Sequence, residues 1–113
     1  MNFNNLTETK KGITVSLDTN TVIYPSGRIE PINEENMDEV IMCLEHNLNR
    51  LNTSSKKLRA KLKIEERIEI PIKDGIRYLE PLNDMQRKAF EKKLKENRKN
   101  TNIILKYIKS LNA

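Results

Sequence analysis

From residue 37 to 62, apolar side chains return at alternating steps of four and three: Met37, Ile41, Leu44, Leu48, Leu51, Leu58 and Leu62. Ser55 is the single polar member of the series. A helix places all of these positions on one stripe, so the stretch is predicted to be the buried spine of the fold. Ahead of it the period is two. Ile13, Val15 and Leu17 alternate with Thr14 and Ser16, Asp18-Thr19-Asn20 offers turn chemistry, and Thr21-Val22-Ile23-Tyr24 is β-branched and aromatic, which together predict a hairpin. Pro25-Ser26-Gly27 is a second turn, and Arg28-Ile29-Glu30 makes a short third strand before Pro31, which cannot donate to a sheet ladder. Residues 1–12 show no periodicity and are expected to be a flexible arm, leaving 13–113 as a single small domain.

Asn33 is expected to cap the spine helix, with Glu34 and Glu35 in its first turn at the positive end of the dipole. Its far end is ambiguous. The apolar series continues to Leu62, but Asn52-Thr53-Ser54-Ser55 is built of residues that favour caps and turns. A break there is expected, giving helices over about 34–51 and 54–66; the alternative is one unbroken helix. Ile68, Ile70 and Ile72 then alternate with Glu69 and Pro71, Lys73-Asp74-Gly75 turns, and Ile76-Arg77-Tyr78-Leu79 returns as a second hairpin. Asn83 and Gln86 stand three apart as a cap and its reciprocal partner, opening a last helix with Phe90, Leu94, Ile104, Ile108 and Leu111 on one stripe. That stripe is polar at Asn97 and Thr101, which predicts a kink near Asn100-Thr101 or side chains offered to a partner. The fold class is therefore α+β: an N-terminal hairpin or meander, a helix-turn-helix, a wing-like hairpin and a long C-terminal helix. An antiparallel pair of long helices carrying β-hairpins is the alternative.

Two short segments recur. Glu30-Pro31-Ile32-Asn33 returns as Glu80-Pro81-Leu82-Asn83, and Asn49-Arg50-Leu51-Asn52-Thr53 as Asn97-Arg98-Lys99-Asn100-Thr101. The order hairpin, helix, hairpin, helix is what a duplication would leave, although a chain with 14 Asn and 14 Lys among 113 residues makes chance matches easy.

Charge sharpens the picture. The net charge is +5, but residues 1–55 hold four Lys/Arg against eight Asp/Glu, while residues 56–113 hold 17 against eight. Lysine abundance alone says little in a chain so rich in Asn, Lys and Ile; the change of sign between halves says more. The cations begin right after the polar stretch, at Lys56, Lys57, Arg59, Lys61 and Lys63. Helix, turn, basic helix, hairpin is the order that resembles winged helix-turn-helix proteins, in architecture only and over about residues 34–80. That resemblance implies a short helix in the DNA major groove and a hairpin against the adjacent backbone. Ser54, Ser55, Lys56, Lys57, Arg59, Lys61 and Lys63 would then contact duplex DNA from the helix, and Arg67, Lys73 and Arg77 from the wing. A solvated lysine face is the plain alternative.

Other chemistry is thin. His46 and Cys43 are the only residues of their kinds, so no metal set and no cofactor is expected, and Cys43 reads as a small buried hydrophobe in a reducing compartment. Glu34, Glu35, Asp38 and Glu39 look like first-turn carboxylates, not an acid–base pair; Gly12, Gly27 and Gly75 are isolated, which excludes a phosphate loop; and the aromatic residues are too scattered for a single-strand stacking platform. An enzyme is not expected. Nor is a membrane partner, since no apolar run approaches about 20 residues, and a cytoplasmic location follows. The expected function is a small DNA-binding protein, homodimeric through Ile103, Ile104, Tyr107, Ile108 and Leu111, where the last helix is apolar on more than one side. The alternative is a protein-interaction module, an adaptor or inhibitor of the kind small mobile-element genes often encode, built on paired long helices. Whether Asn52–Ser55 breaks the helix separates the two.

Overall fold

A computed structural model describes residues 5–112. The order of elements is β1 (Asn5–Glu8), β2 (Ile13–Ser16), β3 (Thr21–Ile23), β4 (Ile29–Pro31), α1 (Met37–Leu62), β5 (Ile68–Ile72), β6 (Gly75–Leu79) and α2 (Asp84–Leu111). The fold is α+β. It forms two compact units: one joins the residues up to Leu51 with those from Lys99 onward, and the other is Asn52–Arg98.

The first unit is built on an antiparallel meander, β1-β2-β3-β4. Its register aligns Leu6, Val15, Val22 and Glu30 across the four strands, and the first three are fully buried. Part of the arm expected over 1–12 is thus a strand, Asn5–Glu8, while residues 1–4 lie outside the described residues. A single apolar residue, Leu6, leaves no alternation to read, and the strand exists because Val15 gives it a partner. The β1–β2 turn is closed by Gly12, whose positive φ favours glycine and where an added Cβ would lie 3.1 Å from the Pro25 ring, a tight contact. The Glu8 carboxylate accepts the backbone N–H groups of Lys10 and Lys11, both at 2.8 Å.

Val40, Cys43, Leu44 and Leu51 of α1 and Ile104 of α2 complete this core, with Ile41, Leu48, Tyr107, Ile108 and Leu111 packed around it. The buried face of α1 keeps Leu44 and Leu51 of the expected stripe but is turned toward Val40, Cys43 and Asn47, which are also buried, whereas Met37, Ile41 and Leu48 are half-buried. Asn47 explains part of that rotation. Its amide donates to the carbonyls of Cys43 and Thr7, at 2.9 and 3.2 Å, and so ties the helix to β1. α1 begins later than expected, at Met37, with the Val40 N–H donating to the Asn36 carbonyl at 3.1 Å. Glu34 and Glu35 thus lie in the turn before it, and Asp38 and Glu39 occupy its first turn. The preceding turn is closed by Asn33 Oδ1 accepting the Asn36 N–H at 3.0 Å and Asn36 Oδ1 accepting the Asn33 N–H at 2.8 Å.

The apolar surface near the C-terminus, read as the contact with a second copy, has cover inside the chain. Ile104 is fully buried, Tyr107, Ile108 and Leu111 pack on the same core, and the Tyr107 hydroxyl donates to Asn20 Oδ1 at 2.8 Å. Ile103 is half-buried and Leu105 exposed.

In the second unit the expected break is absent: α1 runs without interruption through Asn52, Thr53, Ser54 and Ser55. The reason is a tertiary partner. Asn97, buried in α2, donates its amide to both Ser54 Oγ and Ser55 Oγ at 3.2 Å, so the hydroxyls that would otherwise compete for the backbone are engaged across the helix pair. α2 is likewise continuous past Asn100-Thr101. The pair is antiparallel, since Ser54 and Ser55 meet Asn97 while Arg87 donates to the Leu62 carbonyl at 3.3 Å near the other end, where a cation suits a helix C-terminus. Asn83 and Gln86 cap α2 reciprocally as expected, at 2.8 and 3.1 Å. The first recurring segment thus leads twice into a long helix. The units themselves differ, with four strands in one and two in the other.

Candidate interaction surface

The hairpin β5–β6 pairs Ile68 with Leu79, Glu69 with Tyr78, Ile70 with Arg77, Pro71 with Ile76 and Ile72 with Gly75. Strand alternation then sorts its side chains onto two faces. One carries Ile68, Ile70, Ile72, Arg77 and Leu79. The other carries Glu69, Pro71, Ile76 and Tyr78, flanked by Arg67 and Glu80. This second face is partly covered by its own residues: the Arg67 guanidinium lies 3.9 Å from the Tyr78 ring centroid and pairs with Glu80 at 3.5 Å. The isoleucine face has no such cover. Ile68, Ile70 and Ile72 are 46, 36 and 51% exposed, and only Leu79 among the strand residues is half-buried.

The cations read as DNA contacts are placed differently from one another. Ser54 and Ser55 are half-buried and turned to Asn97, so they face α2 and not solvent. Lys56, Lys57, Arg59, Lys61 and Lys63 are all exposed. At 100° per residue Lys56 and Arg59 share one side of α1 and Lys57 and Lys61 the other, with Lys63 just past the helix end, so the charges bracket the helix instead of forming one face. Lys61 is drawn over Phe90, its ammonium 5.7 Å from the ring centroid. Arg67 is occupied by Tyr78 and Glu80, whereas Lys73, in the hairpin loop, and Arg77 are exposed and make no ion pair among the described residues. With α1 unbroken there is no turn to set a short recognition helix apart from its support.

Cys43 lies at the centre of the first unit's core, its thiol donating to the Leu6 carbonyl at 3.0 Å. Burial pushes the thiol up to about 11. Native protein should therefore resist thiol-alkylating reagents near neutral pH and react only as fast as the unit unfolds, which a labelling time course followed by mass spectrometry will measure. Rapid labelling of folded protein would contradict the burial. The two N–H bonds hold the Glu8 carboxyl below its ordinary range, with Lys11 the larger contributor and Lys10 next. A lowered folded value stabilises above the unfolded glutamate value, about 4.3, and the benefit is lost as pH falls through the folded value. The first unit should lose stability as the pH drops below about 4.3, and Glu8→Gln should be less stable at neutral pH yet less sensitive to that drop. Denaturant midpoints across an acid series will show both.

Comparison with protein-family models, curated proteins and solved structures gives no match. Among the described residues no helix is long and apolar enough to cross a membrane, and no three His, Cys, Asp or Glu side chains gather as a metal-ligand set.

The isoleucine face is the feature that sequence reasoning passed over. Its signal was present: β5 and β6 are apolar at Ile68, Ile70, Ile72, Ile76 and Leu79, on both faces of a two-stranded hairpin that has no third strand to bury them.

Proposed function

We propose that the chain is a non-enzymatic protein-interaction module, in which the paired helices of the second unit present the β5–β6 ribbon to another protein. The ribbon's exposed apolar surface carries this reading. A two-stranded hairpin is marginal in water, and a row of exposed isoleucines along one of its faces suits cover by another surface. The unbroken α1 supports it as well, because it lacks the turn that a recognition helix requires. A photo-crosslinking residue in place of Ile72 should give a discrete adduct with a partner protein in the native host, and the same residue at exposed Asn49, in the first unit, should not. Equal capture at both positions, or none at Ile72, would remove the reading.

Duplex DNA remains a second reading, favoured by one observation: Lys56, Lys57, Arg59, Lys61 and Lys63 are exposed and free of ion pairs among the described residues. Such cations would contact phosphates without reading bases, so binding would be steeply salt-dependent and indifferent to sequence. Fluorescence anisotropy with two unrelated duplexes at two salt concentrations tests it. Joint reversal of Lys56, Lys57 and Arg59 to Glu should abolish any binding seen, with unchanged circular dichroism.

A further inference from the structure

From the chemistry of the isoleucine face we infer its occupant: a short amphipathic segment of another protein, with an apolar stripe and an Asp or Glu placed to meet Arg77. This rests on the interaction reading above. Three isoleucines stand in a row on β5, and the residue directly across from the middle one, Ile70, is Arg77. Within the strands that face holds no carboxylate, because Glu69 points to the opposite side. Arg77 makes no ion pair among the described residues, while Arg67 on the other face has both a ring and a carboxylate. The hairpin thus satisfies its cation on one face and leaves it unpaired on the other, amid apolar side chains.

Covering Ile68, Ile70 and Ile72 would take water away from Arg77 as well. A guanidinium buried without a counter-charge is costly, so a surface that covers the isoleucines must bring a carboxylate, and the planar fork of arginine suits one bidentately. A purely apolar partner is therefore disfavoured, and a basic one is repelled. Size narrows the class further. Five strand residues at about 3.3 Å each span roughly 16 Å, the length of about ten residues of helix. That is too small for a standard globular interface of about 800 Å² per partner, and fits a single segment laid along the ribbon. Nucleic acid does not fit, since the face offers one cation and four side chains without a donor.

The test is selection of phage-displayed random peptides on the full-length chain, repeated on Arg77→Glu and Ile70→Ser. Both substitutions fall at exposed positions, so circular dichroism should match the parent. Peptides enriched on the parent should combine apolar positions with an Asp or Glu, and should bind either variant about tenfold or more weakly. Fresh selection on Arg77→Glu should replace the acidic residue by Lys or Arg. Enriched peptides lacking a carboxylate, or binding Arg77→Glu as well as the parent, would overturn the inference and leave the interaction reading standing. If no peptide is enriched and Ile72 captures nothing in cells, both fall. A dimeric mass in light scattering that Ile70→Ser converts to monomer would make a second copy the occupant and overturn the inference.

Discussion

Leu44→Ala should destabilise the first unit by about 2–5 kcal/mol, the cost of emptying a buried leucine site whose neighbours cannot close in. Leu44 is completely buried, with Leu6, Val15, Val22 and Val40 also fully enclosed in the same core. Strands and helix meet around it, and a fixed sheet register leaves little freedom to collapse into the space. The same change at Leu94 should cost distinctly less, because Leu94 is half-buried and the described residues of the second unit include no fully buried apolar side chain. Chemical denaturation of both variants, followed by circular dichroism, gives the comparison. A Leu94→Ala loss equal to that at Leu44 would mean that the helix pair is covered by something beyond its own residues.

That contrast bears on what the ribbon can do. The first unit carries nearly all of the apolar core, while the second consists of two helix segments held by half-buried leucines, Phe90 and one buried polar cluster. Its exposed isoleucines add nothing to its own stability while they face water, so cover from a partner would stabilise the hairpin and complete the interface together.

Much of the fold was legible in the chain because the signals were local. The Asn83 cap, the strands at Ile13, Thr21, Ile68 and Ile76, and the long last helix all rest on short-range patterns that the structure keeps, while the first helix starts three residues later than its Asn33 signal suggests. Two features were not local. β1 depends on Leu6 meeting Val15 across a glycine turn, and a lone apolar residue in a polar stretch carries no period. The continuity of α1 depends on Asn97, more than 40 residues away. Ser55 and Asn97 were each visible as polar interruptions of an apolar series, but local propensity treats every interruption as a break. Polar residues at facing positions of two helices can satisfy one another instead, as they do here.

Ser55→Pro should therefore destabilise the chain by about 3 kcal/mol or more, and the size of that loss separates the two architectures. If α1 ended near Asn52 and a second helix began with Ser54 as its cap, position 55 would be the first residue of that helix. Proline is well tolerated there: its missing N–H is unpaired in any case and its fixed φ suits the helix start. In the unbroken helix Ser55 is interior, and proline both removes its hydrogen bond to the Leu51 carbonyl and drives its ring against that turn. The substitution also removes the hydroxyl that accepts from buried Asn97, so Ser55→Ala is the necessary control. With Ser54 Oγ still in place at 3.2 Å, the alanine variant should lose about 1 kcal/mol, the scale of one side-chain hydrogen bond. The difference between the two variants isolates the backbone effect. A proline variant as stable as the alanine variant, with unchanged helical circular dichroism, would place a turn at Asn52–Ser55, restore the separate basic helix, and move the balance from the isoleucine ribbon back to the phosphate-contacting cations at 56–63.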